Sequence, residues 1–341
     1  MVNKSEFVRN LFEWLMFNVD SAGILWTKTG LELHHTVINI QVASKEVLII
    51  PITSYSSDVF VIEIKDSFQT KLKFVLKIRK ILPGKKCKLL SEFEIYKYLN
   101  NSGIVNTIIA VAYAMRDSHG LGLYVYDESV TGDKVSFDIN QIKNIYSKIL
   151  DLQDLLFKSR IPVATQLSRT KESDIDYNGK LIKYLSYFTK KATNSSLFAD
   201  IQFHLNTDRM KKLRAIVSDR SPANWMVNDK GIFPFDFDLV LWDSCLSDFV
   251  FFIDDHRLKV SHSRNRLVSC AIEVLSIYNR NCTEEDFHFN AVYRNLIQGV
   301  LLYEKNIYGS LWSYRRALDS AVFLNLWSVQ QFIIDLLYKI A

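Results

Sequence analysis

The spacing of apolar residues changes character near Gly132, so a fold built of strands alone or of helices alone is excluded. Up to that point the chain reads as short strands around one helix. Leu31–Gln41, Glu46–Thr53, Asp58–Lys65 and Lys73–Arg79 are rich in Ile, Val and Phe, with polar or turn-forming residues between them. Leu89–Leu99 instead carries Leu90, Phe93, Tyr96 and Leu99 at helical intervals and stops at Asn100-Asn101-Ser102-Gly103. Two more strands, Thr107–Arg116 and Leu121–Tyr126, are predicted to join through Ser118-His119-Gly120. Beyond Gly132, Asn140–Phe157 places Ile142, Ile145, Tyr146, Ile149, Leu150 and Leu156 on a helix. Further helices are predicted at roughly 263–279, 284–304 and 312–340, with a less regular interval at 159–205. The pattern predicts an α+β chain, with residues 1–130 as a β-rich part and 131–341 as a mostly helical part.

Composition removes several classes. With only 11 Gly and 5 Pro in 341 residues, collagen-like and linker-like material is excluded. A content of 48% hydrophobic and 13% aromatic residues supports a large core and excludes whole-chain disorder. The net charge of +5 comes from 42 basic and 37 acidic residues without a basic block, so nothing points to nucleic acid. The first residues carry no signal-peptide-like apolar region, and the strongest apolar runs, Ile108–Met115 and Phe249–Ile253, fall short of the roughly 20 residues of a membrane span. Four singly spaced cysteines complete the expectation of a soluble, cytoplasmic chain with reduced thiols and no membrane partner. The seven histidines show no metal-ligand spacing. Asp254-Asp255-His256 reads as a solvated acidic turn, and the aromatics Trp312, Tyr314, Phe323, Trp327, Phe332 and Tyr338 read as helical core.

The segment IVSDRSPANWMVNDKGIFPFDFDLVLWDSCLSD, Ile216–Asp248, carries the chemistry. Asp219 and Asn224 stand five positions apart in a stretch containing Pro222. A short apolar strand, the turn Asn228-Asp229-Lys230-Gly231 and a second apolar stretch then lead to Asp236. A hairpin there would bring Asn224 and Asp236 together. Such a set suits phosphoryl transfer: one carboxylate orients a hydroxyl and accepts its proton, while an amide oxygen and a second carboxylate offer hard ligands to Mg²⁺. The same residue types also serve as plain turn and cap residues.

This segment resembles the core of the aminoglycoside phosphotransferase and choline kinase-like enzymes, small-molecule relatives of protein kinases. Their pattern is H-G-D-x-x-P-x-N followed by I-D-F-D or I-D-W-E. The resemblance implies a bilobal protein kinase-like fold, with a small β-rich N-lobe, a larger helical C-lobe and a cleft between them. It makes Asp219 the catalytic base, Asn224 and Asp236 the metal ligands, and Asp248 a brace of the catalytic loop, itself a candidate helix cap. Upstream, Lys77 in Phe-Val-Leu-Lys matches the lysine that contacts nucleotide phosphates, and Glu92 its helix partner, with Glu94 the fallback. Ser54-Tyr55-Ser56-Ser57 stands where the phosphate-covering loop lies, which makes Ser56 and Ser57 candidate nucleotide contacts. Leu121–Gly132, with Asp127, resembles the strand and hinge that hold adenine. The likeness covers about 50–250 and implies ATP or GTP as donor, Mg²⁺ as cofactor and a hydroxyl of a small molecule as acceptor.

Two departures stand out. Val217-Ser218 occupies the place of His-Gly, and the phosphate loop has no glycine for close backbone approach. Two alternatives therefore stand beside the phosphotransferase: a kinase-shaped binding module without turnover, and a protein kinase, which the lack of D-F-G and A-P-E disfavours. Six acidic residues within 236–255 (Asp236, Asp238, Asp243, Asp248, Asp254, Asp255) are also compatible with a negative acceptor pocket. Such a pocket would favour a cationic acceptor such as an aminoglycoside or a choline-like amine.

Overall fold

A computed structural model describes residues 4–17, 24–33, 46–52, 58–65, 71–81, 87–103, 107–159, 179, 181–186, 213–237 and 240–340. The described residues divide between two compact units. Met1–Ser129 and Pro234–Asp238 belong to the first; Val130–Arg160, Gln166–Phe233 and Leu239–Ala341 belong to the second.

The first unit is built on an antiparallel sheet of β1 (Leu25–Trp26), β2 (Glu46–Ile52), β3 (Asp58–Lys65), β4 (Lys71–Lys80), β5 (Ala110–Arg116) and β6 (His119–Val125). The strand order is β1-β5-β6-β4-β3-β2. Period-two alternation sends Phe60, Ile62 and Ile64 of β3 and Phe74, Leu76 and Ile78 of β4 into one core. The helix Lys4–Phe17 joins that core through Val8, Leu11, Phe12, Leu15 and Met16, an i, i+3, i+4, i+7, i+8 stripe. The helix Lys88–Ser102 ends on Gly103 in the left-handed conformation (φ 65°), which costs glycine nothing.

Two local expectations change in this unit. Residues 31–33, predicted as the start of a strand, close a short helical segment at 28–33 instead. Thr27 overrides the strand propensity: its Oγ1 accepts from Gly30 N at 2.9 Å and its carbonyl from Leu31 N at 3.0 Å. The remainder of Leu31–Gln41 lies outside the described residues. The β5–β6 turn falls on Asp117-Ser118, both at positive φ (46° and 63°), which matches the twist of a two-residue hairpin. His119 and Gly120 therefore belong to β6.

The second unit packs helices Ile139–Lys158, Ser247–Ile253, Arg264–Ile277, Glu284–Leu302, Ile307–Phe323 and Trp327–Ile340. Ile139–Lys158 starts with a capping box, Asp138 and Gln141 each satisfying the other's backbone, and buries Ile142, Ile145, Tyr146, Ile149 and Leu150. The stretch read as one helix over 312–340 is two. Asn325 takes a left-handed φ of 54°, and Leu326 N donates back to Ala321 O, closing the first helix without a glycine. Of the six aromatics assigned to a helical core, Tyr314 and Phe332 are buried there. Phe323, Trp327 and Tyr338 are exposed, at 45%, 76% and 83%.

Short strands frame the loop that carries Asp219. β9 (Arg214–Val217) pairs with β12 (Leu241–Ser244), with Val217 opposite Leu241. After β9 come a loop, the 3₁₀ turn Pro222–Asn224, and β10 (Trp225–Asn228) beside β11 (Gly231–Pro234). β10 also pairs with β7 (Val130–Thr131), and β8 (Ser136–Phe137) pairs in parallel with β13 (Lys259–Val260).

Candidate active site

Lys77, Glu92, Asp127 and Asp236 belong to the first unit, and Asp219 and Asn224 to the second. Ser56 and Ser57 lie outside the described residues.

In the first unit, Lys77 sits on β4 between Val59 of β3 and Gly122 of β6. Its Nζ donates to Glu92 Oε1 at 2.6 Å, with Glu92 fully buried and Lys77 16% exposed. Glu92 lies among Leu89, Phe93, Ile95 and Tyr96 on the buried face of its helix, whereas Glu94 faces outward toward Lys97. A carboxylate at such a depth is retained only with a cation and hydrogen bonds around it. A double-mutant cycle on Lys77→Met and Glu92→Gln, read by urea unfolding, is expected to give a coupling of about 0.5–3 kcal/mol. A coupling of zero would remove the pair from the structural argument.

The same helix anchors Asp236. One turn after Glu92, Tyr96 is fully buried and packs edge-on against Tyr124 (centroids 5.3 Å) and Phe237 (5.1 Å). The Asp236 N–H donates to Tyr96 Oη at 2.8 Å, and Asp236 takes a left-handed φ of 58°. Thr107 Oγ1 donates to Pro234 O at 2.7 Å, tying down the segment just before it. Sequence reading placed Tyr96 on the apolar face of this helix but gave it no role beside Asp236; its only signal for that was the i+4 spacing from Glu92. Asp127 lies in the stretch after β6, where Tyr126 N donates to Lys73 O at 3.0 Å and Ser129 Oγ to Asp127 O at 3.4 Å.

In the second unit, Asp219 follows β9 in an open loop with φ 52°. Left-handed backbone is uncommon outside glycine and is tolerated best by Asp and Asn. Asn224 Nδ2 donates to Asp219 O at 2.6 Å. A carbonyl can be met only by the NH₂ end of an amide, so Asn224 Oδ1 is turned the other way. Asp248 reaches this loop from the first turn of Ser247–Ile253: its Oδ1 accepts from Ser218 N at 3.0 Å and its Oδ2 from Gln153 Nε2 at 3.1 Å. It braces the loop and is not the helix cap, which is Leu246. Burial pushes its carboxyl up to about 6, against the opposing pull of Arg220 and of its two hydrogen bonds.

Arg220, which sequence reading passed over, is fully buried and donates Nε (3.1 Å) and Nη2 (2.5 Å) to Ser218 O. Trp225 Nε1 in turn donates to Arg220 O at 3.2 Å.

The acidic run after Asp236 is not a solvated surface. Asp254 is 2% exposed and bonds Arg264 twice (2.6 and 2.8 Å) and Asn295 Nδ2 (2.7 Å). Asp243, 1% exposed, pairs with Arg294, and Asp255 is held by two Arg257 nitrogens (2.9 and 2.7 Å). The solvated-turn reading fails for Asp254, and the acceptor-pocket reading for Asp243 and Asp254, because both charges are already paired with internal arginines. Asp238 lies outside the described residues. Burial, and next Arg264, push His288 beside this network down to about 4, so it is neutral at neutral pH. Among the described residues no group of three or more His, Cys, Asp or Glu side chains is gathered to hold a metal. Within the second unit the hydrogen bond on Asn224 Nδ2 turns Oδ1 away from the backbone, and within the first unit Asp236 carries a carboxylate. Each is separately a hard oxygen donor of the kind magnesium takes.

No protein-family model matches this chain, and no curated protein matches its sequence. Its fold does match solved structures. A choline kinase from Cryptosporidium parvum Iowa II aligns with a TM-score of 0.54 at 11% identity, over 97% of this chain and 100% of that one. The gentamicin complex of APH(2'')-IIa aligns with a TM-score of 0.52 at 15% identity, over 86% of this chain and 96% of that one. The chain therefore has the kinase-like α+β fold of these small-molecule kinase structures, with an antiparallel sheet in its N-terminal part and mostly helices in its C-terminal part.

Proposed function

We propose that this chain is a nucleotide- and Mg²⁺-dependent phosphotransferase that moves the γ-phosphoryl group of ATP or GTP to a hydroxyl of a small molecule. The observation that supports it most is the buried Lys77–Glu92 ion pair, formed between the residues that the family resemblance singles out as the phosphate-contacting lysine and its helix partner. A surface lysine and a solvated helix glutamate would not bury each other. In this reading Lys77, oriented by Glu92, binds the nucleotide phosphates, with Asp127 and the serines Ser56 and Ser57 as further nucleotide contacts. Asp219 orients the acceptor hydroxyl and takes its proton. Asn224 and Asp236 hold Mg²⁺, which when bound neutralises charge on the phosphates. Catalysis then rests on positioning and on preset electrostatics. A cytoplasmic location is compatible with four free, buried thiols and no nucleic-acid or membrane partner is proposed.

The acidic run does not argue for a cationic acceptor, since its buried members are paired internally. Amine-bearing alcohols are still the first acceptors to screen, because the fold relatives include a choline kinase and a protein solved with gentamicin.

The test is thermal unfolding with ATP and with GTP, each with and without Mg²⁺. A nucleotide at 100 times its Kd stabilises the folded state by about 2.7 kcal/mol. The shift is expected to need Mg²⁺, and Asp236→Asn, which tolerates the left-handed backbone, is expected to lose the Mg²⁺-dependent part. No shift with either nucleotide at millimolar concentration would leave the kinase-shaped binding module as the better reading.

A further inference from the structure

Among the described residues the loop that carries Asp219 has no strand partner, and side chains hold its carbonyls one by one. Ser218 O accepts from Arg220, Asp219 O from Asn224 and Arg220 O from Trp225. Ser218 is gripped at both backbone groups by opposite charges: its N–H by the Asp248 carboxylate and its carbonyl by the Arg220 guanidinium. Arg220 and Asp248 are 0% and 1% exposed. An apolar side chain at position 220 would fill buried space without desolvating a charge, so a buried guanidinium there calls for a reason.

We propose that Arg220 is a positioning residue for Asp219. With Asp248 it clamps the Ser218 peptide groups from both sides, and this clamp holds the next residue in its left-handed conformation. It supplies the loop support that Val217, standing where the related enzymes have a histidine, is unable to give. The proposal rests on the reading of Asp219 as the base.

The two halves of the clamp depend on each other. Asp248 faces Arg220, Asp219 and the Ser218 amide from the loop and Gln153 from the Ile139–Lys158 helix, with Cys245 beside it just before its own helix. Burial favours its neutral form, and the Arg220 charge is the strongest influence holding it ionised. Without that charge Asp248 shifts further toward its neutral form, which turns the charge-assisted bond to Ser218 N into an ordinary one.

Amide exchange at Ser218, followed between pH 5 and 8.5, tests this without any turnover. The protection factor in the wild type is expected to rise with pH through a midpoint near 6, as Asp248 ionises. Arg220→Gln, which keeps a donor but no charge, should move that midpoint up by a unit or more. Arg220→Lys keeps the charge and should leave the midpoint in place, but lower the protection about tenfold by replacing a two-donor fork with one ammonium. The double variant Arg220→Leu/Asp248→Asn leaves no charge unpaired and covers the case in which Arg220→Gln does not fold. It should show low protection at every pH. In parallel, MgATP turnover by Arg220→Lys should lose about tenfold in kcat with KM for ATP within twofold. An unmoved midpoint in Arg220→Gln, wild-type protection in the double variant, or an unchanged kcat in Arg220→Lys would each overturn the proposal. Absence of MgATP turnover in the wild type would instead count against the phosphotransferase reading, and the exchange data would still decide the clamp.

Discussion

Asp219→Asn is expected to lower phosphoryl transfer by about 10²–10⁴-fold, the range associated with a positioned general base, while leaving Tm and the Mg²⁺–nucleotide shift nearly unchanged. Asparagine is the informative replacement because of the backbone. Asp219 has φ 52°, a conformation that Asn adopts almost as readily as Asp, whereas Ala would add strain on the order of 1 kcal/mol. Asp219→Asn therefore removes a proton acceptor and little else, and a loss of turnover reports chemistry. The hydrogen bond from Asn224 runs to the Asp219 carbonyl, so the substitution leaves it in place and keeps Asn224 Oδ1 oriented. Retained turnover in Asp219→Asn would sink the assignment of the base, even if nucleotide binding were demonstrated. A lost nucleotide shift would mean that the loop, rather than the carboxylate alone, had been disturbed.

Much of the architecture could be read from residue spacing, because burial imposes a period. The strands Asp58–Lys65 and Ala110–Arg116 and the helices Ile139–Lys158 and Glu284–Leu302 each carry their apolar residues on the face that meets a core. Local backbone choices escaped where they depend on one hydrogen bond. Thr27 capping turned 31–33 into helix, and Asn325 broke a 29-residue helical pattern that contains neither proline nor glycine. Lys77 and Glu92 stood out only through the family resemblance, and the structure joins them in a buried ion pair. Asp219, Asn224 and Asp236 could be picked out by their mutual spacing. The residues that hold them in place could not. Tyr96 supports Asp236 through a hydroxyl 140 positions away, and Arg220 supports Asp219 by folding back on a carbonyl two residues before it. Neither contact leaves a periodic trace, since tyrosine and arginine at those positions read as ordinary helix and loop residues. Burial of charge was likewise invisible. Asp254 next to Asp255 and His256 has the composition of an exposed turn, and only the fold brings Arg264 and Asn295 around it.

That last contact yields the largest expected effect on stability. Arg264 makes two bonds to Asp254 and a third to Ser320 Oγ, and its side chain is only 8% exposed. Arg264→Ala leaves the Asp254 carboxylate buried with Asn295 as its remaining side-chain partner among the described contacts. Breaking a buried pair from one side typically costs about 3–5 kcal/mol. For a chain of this size that corresponds to a fall in Tm on the order of 10 °C. Asp254→Asn, which fits the same space without a charge, should cost less than Arg264→Ala, because the guanidinium it leaves behind keeps Ser320 and reaches closer to solvent. The comparison also bears on the acceptor. If Asp254 bound a cationic acceptor, Asp254→Asn would raise KM for that acceptor and leave Tm alone. As an internal ion pair, it should lower Tm while KM for any acceptor found stays within about twofold. Urea unfolding of the two variants beside acceptor kinetics separates these outcomes. A Tm equal to wild type in Arg264→Ala would show that the network is dispensable and return the acidic run to consideration as a binding surface.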